Sequence, residues 1–149
     1  MAATTKSTEY AKYDTLGMTS RPDSITAEGR IRFLNDIIDT TADNAAADVI
    51  TLLPLPAGAL VDKRRSFIHV ETKPAATVTC DLGFTSDPDG ICDGANLAVA
   101  GIIQMKEGTG ALGSDLLAVP KSDPLILTLN TMTTPQVGKV RVSIAYYVR

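Results

Sequence analysis

Gly138-Lys139-Val140-Arg141-Val142-Ser143-Ile144-Ala145-Tyr146-Tyr147-Val148-Arg149 closes the chain, and its period decides the fold class. Val140, Val142, Ile144, Tyr146 and Val148 alternate with Lys139, Arg141, Ser143, Ala145 and Arg149. Only an extended strand puts every second side chain on one side, so this stretch predicts a sheet with one buried face and one largely wet face. Upstream, Ala76 to Phe84 repeats the pattern, with Val78, Cys80, Leu82 and Phe84 inward and Thr77, Thr79 and Asp81 outward. Leu116 to Val119 and Leu125 to Leu129 read as two more strands, bounded by Pro120, Pro124 and the turn-forming pair Asn130-Thr131.

Towards the N-terminus the texture stays the same. Asp48 to Leu53 is β-branched and apolar, and Pro54 and Pro56 end it because neither can donate to a ladder. Ala59 to Glu71 reads as a strand broken or bulged around Asp62-Lys63-Arg64-Arg65, and Lys73-Pro74 closes it. Arg30 to Ile38 is the first strand, with Ile31 and Phe33 on one face, although Ile31 to Ile38 also fits two helical turns. Ala42 to Ala47 is too short and too interrupted to be more than a connecting turn. Ala95 to Met105 fits either a short helix leading to a strand or two short strands. No long helical periodicity separates the strands. The expectation is an all-β, antiparallel β-sandwich of jelly-roll type.

The 149 residues suffice for one domain with a real core. Residues 1–28 are rich in Thr and Ser, poor in large aliphatics, and carry the turn signal Arg21-Pro22-Asp23-Ser24. They read as an extended N-terminal arm, with the β-sandwich domain occupying 29–149. The net charge of −3 is spread along the chain, without the basic stripe that neutralising several phosphates requires. No nucleic-acid partner is expected. No apolar run is long enough to cross a bilayer, and Met1-Ala2-Ala3-Thr4-Thr5-Lys6 lacks the layout of a signal peptide, so no membrane partner is expected either.

Catalytic candidates are scarce. The one histidine, His69, shares a strand face with Phe67 and Glu71, where a hydrogen bond to an exposed carboxylate accounts for it. There is no nucleophile elbow, phosphate-binding loop, dinucleotide fingerprint or zinc-protease helix. Without Trp and with seven aromatic residues, the chain also lacks the lined cleft that paired-carboxylate glycosidases use. The expectation is no enzyme, no catalytic residue and no cofactor site. Cys80 and Cys92 read as two reduced thiols, Cys80 facing the core and Cys92 among carboxylates that raise its pKa. Lys63-Arg64-Arg65, the one basic cluster, reads as solvated charge on a bulged strand edge.

One stretch looks like a site: Asp87-Pro88-Asp89-Gly90-Ile91-Cys92-Asp93-Gly94, expected as a loop after the Ala76 to Phe84 strand. Asp87, Asp89 and Asp93 offer three oxygens to a calcium ion, but the spacing departs from an EF-hand and no Glu closes the loop. The alternative is a run of Asp-Pro and Asp-Gly turns.

The succession Gly29-Arg30-Ile31-Arg32-Phe33, Ala47-Asp48-Val49-Ile50-Thr51-Leu52 and Leu55-Pro56-Ala57-Gly58-Ala59-Leu60-Val61 resembles small virion structural proteins of tailed bacteriophages. The likeness continues through Thr77-Val78-Thr79-Cys80-Asp81-Leu82-Gly83 with its Asp-Pro-Asp-Gly turn and ends at Gly138-Lys139-Val140-Arg141-Val142. It implies a capsid decoration or cement protein on the virion surface. Its partner would be the major capsid protein, it would form a homo-oligomer, with a trimer favoured, and it would act by burying interface area rather than by turnover. A host-surface or fibre-head binding module, calcium-dependent through Asp87, Asp89 and Asp93, is the alternative function.

Overall fold

The structure, a computed structural model, describes residues 4–6, 31–105, 116–121 and 123–148. Apart from Thr4–Lys6, the expected arm over 1–28 lies outside the described residues. The described elements are all strands: β1 (Thr4–Lys6), β2 (Ile31–Thr40), β3 (Val49–Thr51), β4 (Leu60–Thr72), β5 (Ala75–Phe84), β6 (Asp87–Asn96), β7 (Gly101–Gln104), β8 (Leu116–Ala118), β9 (Leu125–Pro135) and β10 (Gly138–Tyr147). They form two sheets, β1-β3-β9-β5-β6 and β2-β10-β4-β7, with β8 also pairing with β4.

The pairing pattern is that of a ribbon folded in half and rolled up. From the β5–β6 hairpin outward, β4 pairs with β7 and β8, β3 with β9, and β2 with β10, all antiparallel. The contacts β10–β4 and β9–β5 then seam the roll. This is the expected jelly roll. Among the described residues the single parallel pair is β1 on β3, with Thr4 opposite Val49 and Lys6 opposite Thr51.

The core lies between the sheets and is supplied by the alternation described above. Val140, Val142 and Ile144 of β10 meet Val78, Leu82 and Phe84 of β5 in one buried cluster. Burying a large aliphatic side chain stabilises by roughly 1.5–3 kcal/mol, so period-two runs of this kind hold the sandwich without staples.

Several expectations needed correction. Asn130-Thr131 does not end a strand: β9 runs on to Pro135, because Thr79 pairs with Thr131 and Cys80 with Leu129, leaving Asn130 as the extra residue of a bulge. Ala95 to Met105 resolves into the end of β6 and the short β7. On β2, Ile31 and Phe33 do share a face, but it is the outer one. The inner positions are Leu34, Asp36, Ile38 and Thr40, of which the last three are buried. The outer face of β10 is drier than its alternation implied. Ser143 and Ala145 are buried there, each a small side chain flanked in register by larger neighbours, Asn35 and Phe67 for Ser143 and Phe33 and Asp62 for Ala145.

Candidate functional site

The acidic stretch is not a loop but β6, the return strand of the hairpin at the tip of the roll. As an edge strand it tolerates Pro88, which has no N–H to offer a ladder. Its pairing with β5 is irregular. Between Leu82 and Phe84 β5 advances two residues, while β6 runs from Cys92 back to Asp87, so Pro88-Asp89-Gly90 bulges out. The bulge presses against β5 where no side chain stands in the way: a Cβ on Gly83 would lie 2.6 Å from the carbonyl carbon of Pro88 and closer still to the Asp87 carbonyl oxygen. A second bulge is closed by Gly94, whose φ of 64° favours glycine and whose N–H donates to Asp81 Oδ1 at 2.8 Å. The turn is fastened from the β8–β9 connection, where Asp123 Oδ2 accepts the Ser86 N–H at 3.0 Å and the Ser86 hydroxyl.

Two carboxylates at this turn are shifted in opposite directions. Asp123 is half-buried, and the Ser86 and Thr85 donors hold its carboxyl below the ordinary value of 3.8. Asp87 is raised above that value, first by local desolvation and then by the hydrogen bond and charge of Asp89, with Lys63 pulling the other way. Asp87 and Asp89 thus come together, side chain against side chain. Asp93 does not join them: among the described residues, no three His, Cys, Asp or Glu side chains gather as a metal donor set. Asp93 instead contributes to raising the Cys92 thiol, which burial, Asp81 and Asp93 together push up to about 11. Cys92 is therefore a core residue rather than a loop thiol, buried with Cys80. Burial, then Cys92 and Asp81, lift the Cys80 thiol well above its ordinary range. Neither sulfur is poised as a nucleophile.

A second polar constellation sits in β4. Phe67 pairs with Ser143 and Asp62 with Ala145, so residues 63–66 leave the ladder as a wide bulge. Ser66 plugs it: its hydroxyl donates to the Asp62 carbonyl at 2.7 Å and accepts the orphaned Ala145 N–H at 2.9 Å. Asp62 accepts from Arg64 N–H at 3.1 Å and from Tyr147 Oη at 3.3 Å, and Arg65 Nε lies 3.7 Å from its carboxylate. The basic cluster is accordingly split. Arg64 and Arg65 are exposed, but the bulge turns Lys63 inward to 5% exposure. His69 lies beside Arg141 and Ile102 in register, and the carboxylate on its face, Glu71, is taken by Arg141 through Nη2 at 2.9 Å and Nε at 3.2 Å.

A buried carboxylate that the sequence reading missed is Asp36. Its Oδ1 accepts the Ile37 N–H at 2.9 Å and its Oδ2 the Leu53 N–H at 2.8 Å, tying β2 of one sheet to the chain leaving β3 of the other. The signal was its place between Leu34 and Ile38 in a period-two row, obscured because Ile31, Phe33 and Ile37 form an equally apolar row on the opposite face.

No protein-family profile matches the chain, and no curated protein does. Two solved structures are similar to it. A chain of the Ralstonia phage GP4 capsid superposes with a TM-score of 0.64 at 20% identity, covering 99% of this chain and 98% of that one. A chain of the cyanophage Pam1 capsid asymmetric unit superposes with a TM-score of 0.61 at 18% identity, covering 88% of this chain and 95% of that one. At this identity the likeness shows a shared fold.

Proposed function

We propose that this protein is a structural component of a bacteriophage capsid, and that within the capsid it is a decoration or cement subunit bound to the major capsid protein. The observation that carries this reading is the nearly end-to-end superposition on chains of two phage capsids. Because those chains are covered almost completely, they are about the size of this one, as fits a small accessory subunit. The chemistry agrees: both thiols are pushed upward by burial, and the polar groups around Asp62 and Asp36 are spent on backbone donors that bulges and sheet crossings leave behind. Such a subunit works by burying area across neighbouring shell subunits, which raises the barrier to rupture.

Purified protein added to shells that lack it should co-sediment with them and raise the temperature at which they release DNA. Failure to co-sediment, together with an unchanged rupture temperature, overturns the reading.

A further inference from the structure

The two long edges of the sandwich are built differently. β6 carries Pro88 and two register shifts, whereas β2 pairs with β10 over ten consecutive residues without one. Among the described residues, no strand pairs with the other side of β2. Proteins break their open edges with prolines, bulges or inward charges to stop edge-to-edge pairing, and a long regular edge left unbroken is a template for another strand. The outer face of β2 also carries an apolar row where a free surface would be polar: Ile31 and Ile37 are half-buried, and Phe33 is 52% exposed.

The order of that row identifies the partner. About Asn35 it is nearly palindromic, with Phe33 two residues before and Ile37 two residues after. In an antiparallel pair, residues directly opposite each other share a face. A two-fold axis through Asn35, perpendicular to the sheet, therefore sets Asn35 against its own copy and Phe33 against the partner's Ile37, twice over. The neighbouring registers that keep the faces aligned set Phe33 against the partner's Asn35 or the partner's Asp39, and each leaves an exposed aromatic ring facing a polar group, whereas the register centred on Asn35 leaves only the half-buried Ile31 opposite a polar residue, the partner's Asp39. We infer that β2 is the site at which a second copy of this chain pairs, antiparallel and centred on Asn35, joining two five-stranded sheets into one. The inference rests on the edge itself and stands apart from the capsid reading: a chain that pairs in this way yet binds no shell would overturn that reading alone.

The test is register-specific and uses the full chain. Under oxidised glutathione, Asn35→Cys should give a disulfide-linked dimer, because only this position meets itself across the axis, while Phe33→Cys, Asp39→Cys and the unmodified chain should give at least about tenfold less. Adding Phe33→Lys to Asn35→Cys should cut the dimer yield by about tenfold, since the two-fold doubles the loss of each cross-strand pair. Positions 33, 35 and 39 are exposed strand sites, so circular dichroism should report an unchanged fold for every variant. Equal cross-linking at positions 33, 35 and 39, or sedimentation as a monomer at millimolar concentration with no Asn35→Cys dimer, overturns the inference. So does a dimer in sedimentation whose cross-linking shows no preference for position 35.

Discussion

β6 and β2 are both ten-residue edge strands, yet one is a closed edge and the other an open one. β6 spends its residues on irregularity: a proline, two bulges and the carboxylates Asp87 and Asp89 interrupt its course. β2 spends none. It keeps an unbroken register, an apolar outer row, and a single buried carboxylate that faces inward to hold the strand against the opposite sheet. The stretch richest in unusual residues need not be where a partner binds. Turn-forming residues mark where pairing is prevented, and plain alternation marks where it is allowed.

Three perturbations test this contrast. The largest is Gly83→Ala. The new methyl group would meet the backbone of Asp87 and Pro88, which a rotamer change cannot clear, so the closed edge should lose about 3 kcal/mol in urea unfolding. The loss should leave β2-mediated association per folded molecule unchanged. A gain in association would show instead that the β6 edge had been opened. Next comes Asp36→Ala on the open edge. It strips the Leu53 and Ile37 N–H groups of their acceptor inside the sandwich and should cost about 2 kcal/mol, measured the same way. A loss near zero would mean that β2 needs no tie to the opposite sheet.

The smallest effect is a dependence on pH confined to the closed edge. Asp123 has a depressed carboxyl, so its contribution is present above the ordinary carboxylate value of 3.8 and is lost as pH falls through its folded value. Asp87 is raised, so the folded state holds its proton longer than the unfolded chain does, and stability declines as pH climbs from 3.8 through the raised value. In melting temperature against pH, Asp123→Asn should flatten the acid limb below that value and Asp87→Asn the decline just above it. Both should leave the pH profile of β2-mediated association unmoved. Identical profiles in the two variants would show that neither carboxylate is coupled to the hairpin.

Where local residues carry both the period and its punctuation, the sequence was legible. The strands around Val78 to Phe84 and Val140 to Ile144, the break at Asp62 to Arg65 and the closure at Lys73-Pro74 stand where the alternation and the prolines put them. The direction of the Cys92 shift was legible too, from its acidic neighbours, but its largest cause, burial, was not, because the stretch reads as a loop.

What remained closed to sequence reading was anything decided across strands. Asn130 looks like a turn and is a bulge, because β5 supplies a partner for Thr131 beyond it. Pro88 to Gly90 looks like a loop and sits within a strand, because Gly83 leaves room for it on the neighbouring chain. Lys63 looks solvated and is buried, because its own bulge swings it inward.

The chain alone therefore determined the class of this protein: period-two burial admits only sheets, and the absence of long helical runs between the strands admits only an antiparallel sandwich. Tertiary structure decided which face of β2 is inner, which edge is sealed, and which carboxylates are buried. β2 is apolar on both faces, so no local period can choose between them. The choice falls to the sheet it must cover, where Asp36 finds the Leu53 N–H and Phe33 does not.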